Sequence, residues 1–436
     1  MTSAKESSVI SKELIEKLPK TDLHVHLDGS VRLSTLIELA REYNVKLPSY
    51  TEEGLKELVF KPEYESLVDY LKGFDYTCAV LQSELALERT AYELAQDNQQ
   101  EGVRYVEVRF APQLHVHAHL SMENVLKSVN RGMERAKKEF NQRSEVREGQ
   151  EPPFEYSIVV CALRYFSGET SEYYHTMFRA HAFSPSKTVF SLASLELAQA
   201  AVQVRDEHGI PITGFDLAGA EAGYPAEEHI DAYAFAHKFF MMKTVHAGEA
   251  YGPESIFQAI TDLHADRIGH GTFLLDPTMI TDSSINDREG YVKELAQYIA
   301  DRRITLEICL TSNMQTNPKL RNLSAHPFRD MMRARLSTTI CTDNRTVSNT
   351  TVSEEIHRAM KYLDLGPHAL KRSVIYGFKR SFFPGGYLEK RRYVRRIIDY
   401  YESLERAHPE LMDGGATASD SSDLSDHDDL HDLRDE

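Results

Sequence analysis

The chain has 436 residues, 41% hydrophobic and 27% charged, the composition of an ordinary globular protein. Its net charge of −17 comes with no basic patch suited to a phosphate backbone, which argues against nucleic-acid binding, and no apolar run is long enough to cross a bilayer. The four cysteines, Cys78, Cys161, Cys309 and Cys341, form no CxxC pair, so they read as reduced core thiols and a thiolate metal knuckle is excluded.

The first twenty residues, MTSAKESSVISKELIEKLPK, are polar and lack a hydrophobic signal core, so a cytoplasmic location is expected. The first strand-like run is TDLHVHLD (21–28). Residues 31–100 are too long for a simple crossover and carry several helical patterns, among them TLIELAREY and ESLVDYLKGFDYTCAVLQ. They predict a helical excursion beside the mouth of the fold, closing with a helix over 88–100. VRYVEVRF (103–110) is the second strand, followed by a helix over 122–140 and a charged, proline-bearing exposed loop over 141–153. YSIVVCALR (156–164), a helix over 194–208 and IPITGFDLAG (210–219) come next. MMKTVHAGE (241–249), DRIGHG (266–271), a helix over 290–303, ITLEICLTSN (304–313) and STTICTDN (337–344) complete the order. Eight strands alternating with helices predict an α/β fold, a (β/α)8 TIM barrel occupying residues 1–410 as one domain. Residues 411–436 carry nine acidic side chains against the single base Arg434 and almost nothing apolar. They predict a disordered acidic tail, suited to a protein partner or to an acid-directed kinase acting on Ser425.

In such barrels the site assembles at the C-terminal strand ends. His24 and His26 end strand 1 and, two apart, face one side; His246, with Glu249 just beyond, ends strand 5, His270 ends strand 6 and Asp343 ends strand 8. His24, His26, His246 and Asp343 make a three-nitrogen, one-oxygen set that suits zinc. Singly, each has a plainer explanation: an HxH pair can be packing or surface, His270 a hydrogen-bonded core histidine, Asp343 a helix cap. Together they point to a site. A second LHVH brings His115, His117 and His119, but Pro112 separates them from the strand and no acid lies near. They read as exposed loop residues with, at most, adventitious metal binding.

The motifs DLHVHLDGS, RYVEVRFAPQ, GFDLAGAE, HAGE, DRIGHG, TSN and TDN, in this order over about residues 15 to 400, resemble the adenosine deaminases of the amidohydrolase superfamily. The resemblance implies one catalytic zinc on His24, His26, His246 and Asp343 and hydrolytic deamination of a purine at C6. It assigns protonation of purine N1 and proton delivery to the departing ammonia to Glu249. His270 and Asp343 would orient the attacking water, with His270 stabilising charge on its oxygen. It places His26 against the substrate and Gly219 at purine N3, although Gly219 is equally a turn glycine. Many family members carry a second aspartate where this chain has Asn344; an amide donates to N7 without needing a proton, and a plain loop role stays open. Asp28 resembles the carboxylate that binds the ribose 5′ hydroxyl and repels a 5′-phosphate; N6-methyl-AMP deaminases tend to carry Asn there and fungal-type adenine deaminases Glu. Leu67, Tyr70, Leu71 and Phe74 would form an apolar wall over the substrate, a pattern that an ordinary core helix shows equally.

The expected function is therefore zinc-dependent conversion of adenosine and 2′-deoxyadenosine to inosine and deoxyinosine with release of ammonia, a purine-salvage step. Three alternatives stand beside it. One is deamination of another 6-aminopurine such as N6-methyl-AMP or adenine. A binuclear hydrolase would need a bridging strand-4 lysine, which PITGFDLAG lacks. A non-catalytic scaffold recruiting partners through its tail would show a missing ligand or glutamate, and none is missing.

Overall fold

The computed structural model describes residues 10–412, so the acidic tail reading falls outside the described residues. Eight parallel strands pair in chain order: β1 (Lys20–His26), β2 (Val103–Phe110), β3 (Glu155–Leu163), β4 (Ile212–Ala218), β5 (Met242–Ala247), β6 (Arg267–His270), β7 (Thr305–Ile308) and β8 (Thr338–Ile340). The ring closes just past β8. There the His26 N–H donates to the Asp343 carbonyl at 2.8 Å and the Asp343 N–H donates to the His24 carbonyl at 2.7 Å. The backbone of three predicted metal ligands thus supplies the closing seam.

The strands are buried along nearly their whole length, as expected where helices cover a parallel sheet. Buried charge occupies the barrel interior in place of the usual branched apolar layers. Glu107 and Arg109, two apart on β2, face inward with Asp216 of β4, Arg267 of β6 and Glu307 of β7. Strand β1 gains one residue over β2 between Asp22 and Val25, a bulge that contains His24.

The helical excursion between β1 and β2 is present as Leu33–Glu42, Glu52–Leu58, Leu67–Leu71 and Gly73–Val80, before the long helix Glu84–Gln100. Two expectations need correcting. The run 304–313 is not one strand: β7 stops at Ile308 and Leu310–Thr316 is a helix, so Asn313 enters the site from a helical turn. The stretch 141–153 is not wholly loop, because Ser144–Arg147 forms one helical turn that buries Val146.

Outside the barrel, Glu84–Gln100 is capped by the Ser83 side chain and Met122–Asn141 by that of Ser121. The two helices approach most closely at Gly132, where an added Cβ would lie 2.2 Å from the Glu88 carbonyl oxygen and 2.8 Å from the Tyr92 nitrogen. Alanine is the better helix former by about 1 kcal/mol, but here its methyl meets backbone that cannot rotate away. Gly132→Ala is therefore expected to destabilise the fold by about 1–3 kcal/mol, read as a lowered urea midpoint with an unchanged m-value.

Candidate active site

The site forms where the strands end. His24 and His26 come from β1, His246 from β5 and His270 closes β6, while Asp343 follows β8. His270 and Asp343 both adopt the left-handed backbone region (φ 64° and 62°), which is uncommon for non-glycine residues though Asp and His are enriched in it. Neighbouring glycines make room: a Cβ on Gly269 would come within 3.1 Å of the His24 ring and 3.3 Å of the His246 backbone.

Donor atoms of His24, His246, His270 and Asp343 all lie within 4.8 Å of one another. His26 joins this group through its Nε2, which is 3.2 Å from His246 Nε2 and 3.5 Å from Asp343 Oδ1. The structure therefore brings together all four predicted ligands and His270. The residues fit a metal ion by their own chemistry. The buried His24 Nε2 has no hydrogen-bond partner, and two ring nitrogens from different strands face each other. The outward nitrogens of two of the rings are held by carboxylates: His24 Nδ1 by Glu307 at 2.8 Å and His246 Nδ1 by Asp216 at 3.2 Å. A carboxylate behind an imidazole fixes the proton on the outward nitrogen and leaves the inward one free to ligate.

Those two carboxylates are held in turn by the buried network. Arg109 donates to Asp216 at 2.9 Å, to Glu307 at 2.9 Å and to the Leu23 carbonyl; Arg267 donates to Glu307 at 2.7 Å and also pairs with Glu107; the Thr244 hydroxyl donates to Glu307 at 3.0 Å.

Electrostatics divide the acids of the site into two states. Burial pushes the Asp343 carboxyl up, but the adjacent His24 ring, 3.4 Å away, with His270 and His26, outweighs it and holds the group well below the usual range. Glu249 moves the other way. Burial, then repulsion from Asp343 and Glu221, raise its carboxyl well above the ordinary value. One acid is kept ionised and its neighbour neutral, the division of labour that acid–base chemistry uses. Burial also pushes His26 and His270 well below the usual imidazole value, so both rings are neutral.

Glu249 sits 3.8 Å from His270 Nε2, on a loop organised by one side chain. Glu221 accepts from the backbone N–H groups of Gly248 (2.9 Å), Glu249 (3.0 Å), Ala250 (2.6 Å) and Tyr251 (3.0 Å), and from the Ser255 hydroxyl. Asp28 is buried, with one carboxylate oxygen lacking any partner, and burial pushes its pKa up to about 7. Gly219 ends β4 at φ 93° and stays partly open, so its turn role is real whatever else it contacts. The Asn344 amide nitrogen donates to the Tyr70 hydroxyl at 2.7 Å, and its carbonyl oxygen is unpartnered. Tyr70 is fully buried and bonded to Ser348, whereas Leu67, Leu71 and Phe74 pack on the core with part of their surface exposed.

The sequence profile described as "Adenosine deaminase" matches residues 19–400, nearly the whole described chain. The chain belongs to the adenosine deaminase family. It is 35% identical over 376 residues to the adenosine deaminase of Mycobacteroides abscessus, covering 85% of this chain and 92% of that one. Among solved structures it is similar to the N6-mAMP deaminase of Arabidopsis (26% identity, TM-score 0.66, 89% of this chain and 99% of that one). An amidohydrolase of Burkholderia ambifaria solved with bound zinc shares the fold (18% identity, TM-score 0.70, 93% and 96%). Membership makes this protein an amidohydrolase-type enzyme.

The second LHVH lies after β2, but not as wholly exposed loop. His115 is fully buried beside Phe110; burial pushes its pKa down to about 4, and only His117 and His119 reach solvent. The reason is tertiary: the turn Pro112–Leu114 brings the chain against the end of the helical excursion, where the His117 ring meets the Gln82 carbonyl at 3.1 Å. Motif reasoning missed Arg109, Asp216, Glu221, Glu307, Asn313 and His326. A signal did exist for three of them, since Arg109, Asp216 and Glu307 are charges inside otherwise apolar strand runs.

In this family member the carboxylates behind the histidines should govern metal retention. Asp216→Asn would set an amide N–H against two donors, and metal affinity is expected to fall about 10–100-fold. Competition with a coloured chelator measures it; an unchanged affinity would show that His246 needs no carboxylate behind it.

Proposed function

We propose that this enzyme hydrolyses adenosine and 2′-deoxyadenosine to inosine and deoxyinosine, releasing ammonia. The observation that carries the reading is the placement of buried Glu249 3.8 Å from His270 Nε2, beside the clustered donors of His24, His246, His270 and Asp343, where burial raises the pKa of the Glu249 carboxyl and the histidines lower that of Asp343. Zinc held by His24, His26, His246 and Asp343 would supply Lewis-acid activation of a water molecule. The remaining work falls to the chain itself. Glu249, as the neutral acid, protonates purine N1, which breaks ring aromaticity and opens C6 to attack. His270 and Asp343 orient the water oxygen that bonds to C6. As the water oxygen bonds to C6, one of its protons restores the Glu249 acid, which delivers it to the amino group. The C6–N bond breaks and the second water proton returns to Glu249, so one water is consumed, one ammonia leaves and the acid is regenerated. Gly219 is open enough at the end of β4 for purine N3 to approach its backbone, and the second N–H of Asn344 is available to N7. Leu67, Leu71 and Phe74 form the apolar wall; Tyr70 supports it from beneath by holding Asn344.

Asp28 favours a nucleoside. Its unpartnered, buried carboxylate oxygen suits a ribose hydroxyl and opposes a 5′-phosphate. The Arabidopsis relative acts on N6-mAMP, so phosphorylated substrates are the reading to test against. A cytoplasmic location remains part of this reading; among the described residues no helix is long and apolar enough to cross a membrane.

Two outcomes follow. Glu249→Gln should lower kcat on adenosine by about 10²–10⁴-fold, followed by absorbance change and ammonia release; full activity in this variant would remove Glu249 from the mechanism. Asp28→Asn should raise kcat/KM for AMP relative to adenosine by more than about tenfold, because the like charge is gone. The same variant has a stability consequence. The folded pKa of about 7 lies above the ordinary 3.8, so the wild-type contribution is full below about pH 4 and is lost as pH rises through 7. Asp28→Asn should therefore be more stable than wild type at pH 8, with the gap closing toward pH 4 in urea melts.

A further inference from the structure

His24 and His246 each turn a carboxylate toward their outward nitrogen, but His270 does not. Its Nδ1 faces the side-chain amide of Asn313, with Nδ2 at 3.0 Å. The other end of that amide, Oδ1, lies 3.2 Å from His326 Nε2, and His326 Nδ1 accepts the backbone N–H of Phe328 at 3.1 Å. Asn313, His326 and His270 are all buried.

This chain has a direction, and its origin is a backbone N–H that cannot reverse. Because Phe328 donates, His326 Nδ1 is an acceptor and the proton of the neutral ring sits on Nε2. Burial drives the His326 pKa down to about 3, so the ring stays neutral over the working range. His326 Nε2–H then donates to Asn313 Oδ1, which fixes which end of the amide is which. Asn313 Nδ2–H is left pointing at His270 Nδ1, which must accept. The proton of neutral His270 is thereby placed on Nε2, the buried atom that has no partner within the protein and lies 3.8 Å from Glu249.

We infer that Asn313 and His326 are positioning residues that lock His270 as an Nε2–H donor facing the reacting oxygen. The lock also separates the five clustered side chains by role. A ring whose outward nitrogen meets a carboxylate presents a bare nitrogen and ligates; a ring whose outward nitrogen meets an amide N–H presents a proton and cannot. His24 and His246 belong to the first kind and His270 to the second, so the remaining ligand position falls to His26 even though it is His270 whose donor atom lies within 4.8 Å of those of His24, His246 and Asp343. This deepens the deaminase reading and rests on it: the donor serves the oxygen that attacks C6.

Neutron diffraction from deuterium-exchanged crystals of the zinc-loaded enzyme tests the lock without reference to turnover. Deuterium is expected on Nε2 of both His270 and His326, with both Nδ1 atoms bare. Deuterium on His270 Nδ1, or an Asn313 amide oriented the other way, overturns the inference. Kinetics on adenosine supply the second arm. Asn313→Leu removes the donor that holds His270, and kcat should fall about 100-fold with KM and zinc content nearly unchanged; His326→Phe, which only frees the amide to turn, should lose less. A kcat within threefold of wild type in Asn313→Leu overturns the positioning role. Failure of the deaminase reading shows separately, as wild-type enzyme that turns over no adenosine while its neutron map still carries deuterium on Nε2.

Discussion

Five ionised side chains in the middle of the barrel, Glu107, Arg109, Asp216, Arg267 and Glu307, are the constraint on which the site depends. Burying charge is expensive, and it is tolerated only where each ion is paired and its remaining donors and acceptors are met. Here the pairing is nearly complete, with Arg109 bridging Asp216 and Glu307 and Arg267 bridging Glu307 and Glu107. A network of this kind has few alternative arrangements. It therefore holds Asp216 and Glu307 rigidly, and these hold the rings of His246 and His24. A layer of valines and isoleucines would give a more ordinary core but no fixed acceptors behind the histidine rings.

The same logic extends outward by one more layer. Glu221, at the end of β4, gathers four backbone N–H groups of the loop after β5 and so positions Glu249 without touching its side chain. Its negative charge also contributes to keeping Glu249 neutral. Two residues of the site also carry an uncommon backbone conformation. His270 and Asp343 are held at positive φ, and the seam that closes the barrel runs through His24, His26 and Asp343. Closure of the fold and assembly of the site are thus one event. Substitutions here are expected to couple stability to activity, because the predicted ligands also supply the last hydrogen bonds of the sheet.

Much of this was legible in the residues. The eight strands and the helices between them show as alternating apolar runs and amphipathic segments, because a covered parallel sheet needs continuous apolar strands. The chemistry-bearing histidines, Glu249 and Asp343 show because each follows such a run. What failed did so for identifiable reasons. ITLEICLTSN reads as one strand since periodicity cannot see a chain turning from β7 into a helix at Leu310. His115 reads as loop surface since burial there depends on the excursion folding over it.

Sequence alone determined the fold class and singled out His24, His26, His246, Glu249, His270 and Asp343 as candidates. These depend on local pattern and residue chemistry, which a linear reading contains. Tertiary structure decided how those residues divide their roles. Whether an imidazole ligates or donates depends on the group behind it, and those groups come from β4, β7 and the segments after β7, thirty to nearly three hundred positions away in the chain. Tyr70 against Phe74 is the same case on a smaller scale: four residues apart on successive short helices, one is buried and bonded to Asn344 and the other only partly buried. A hydrogen bond between distant segments exists only after folding, so no spacing rule could have assigned it.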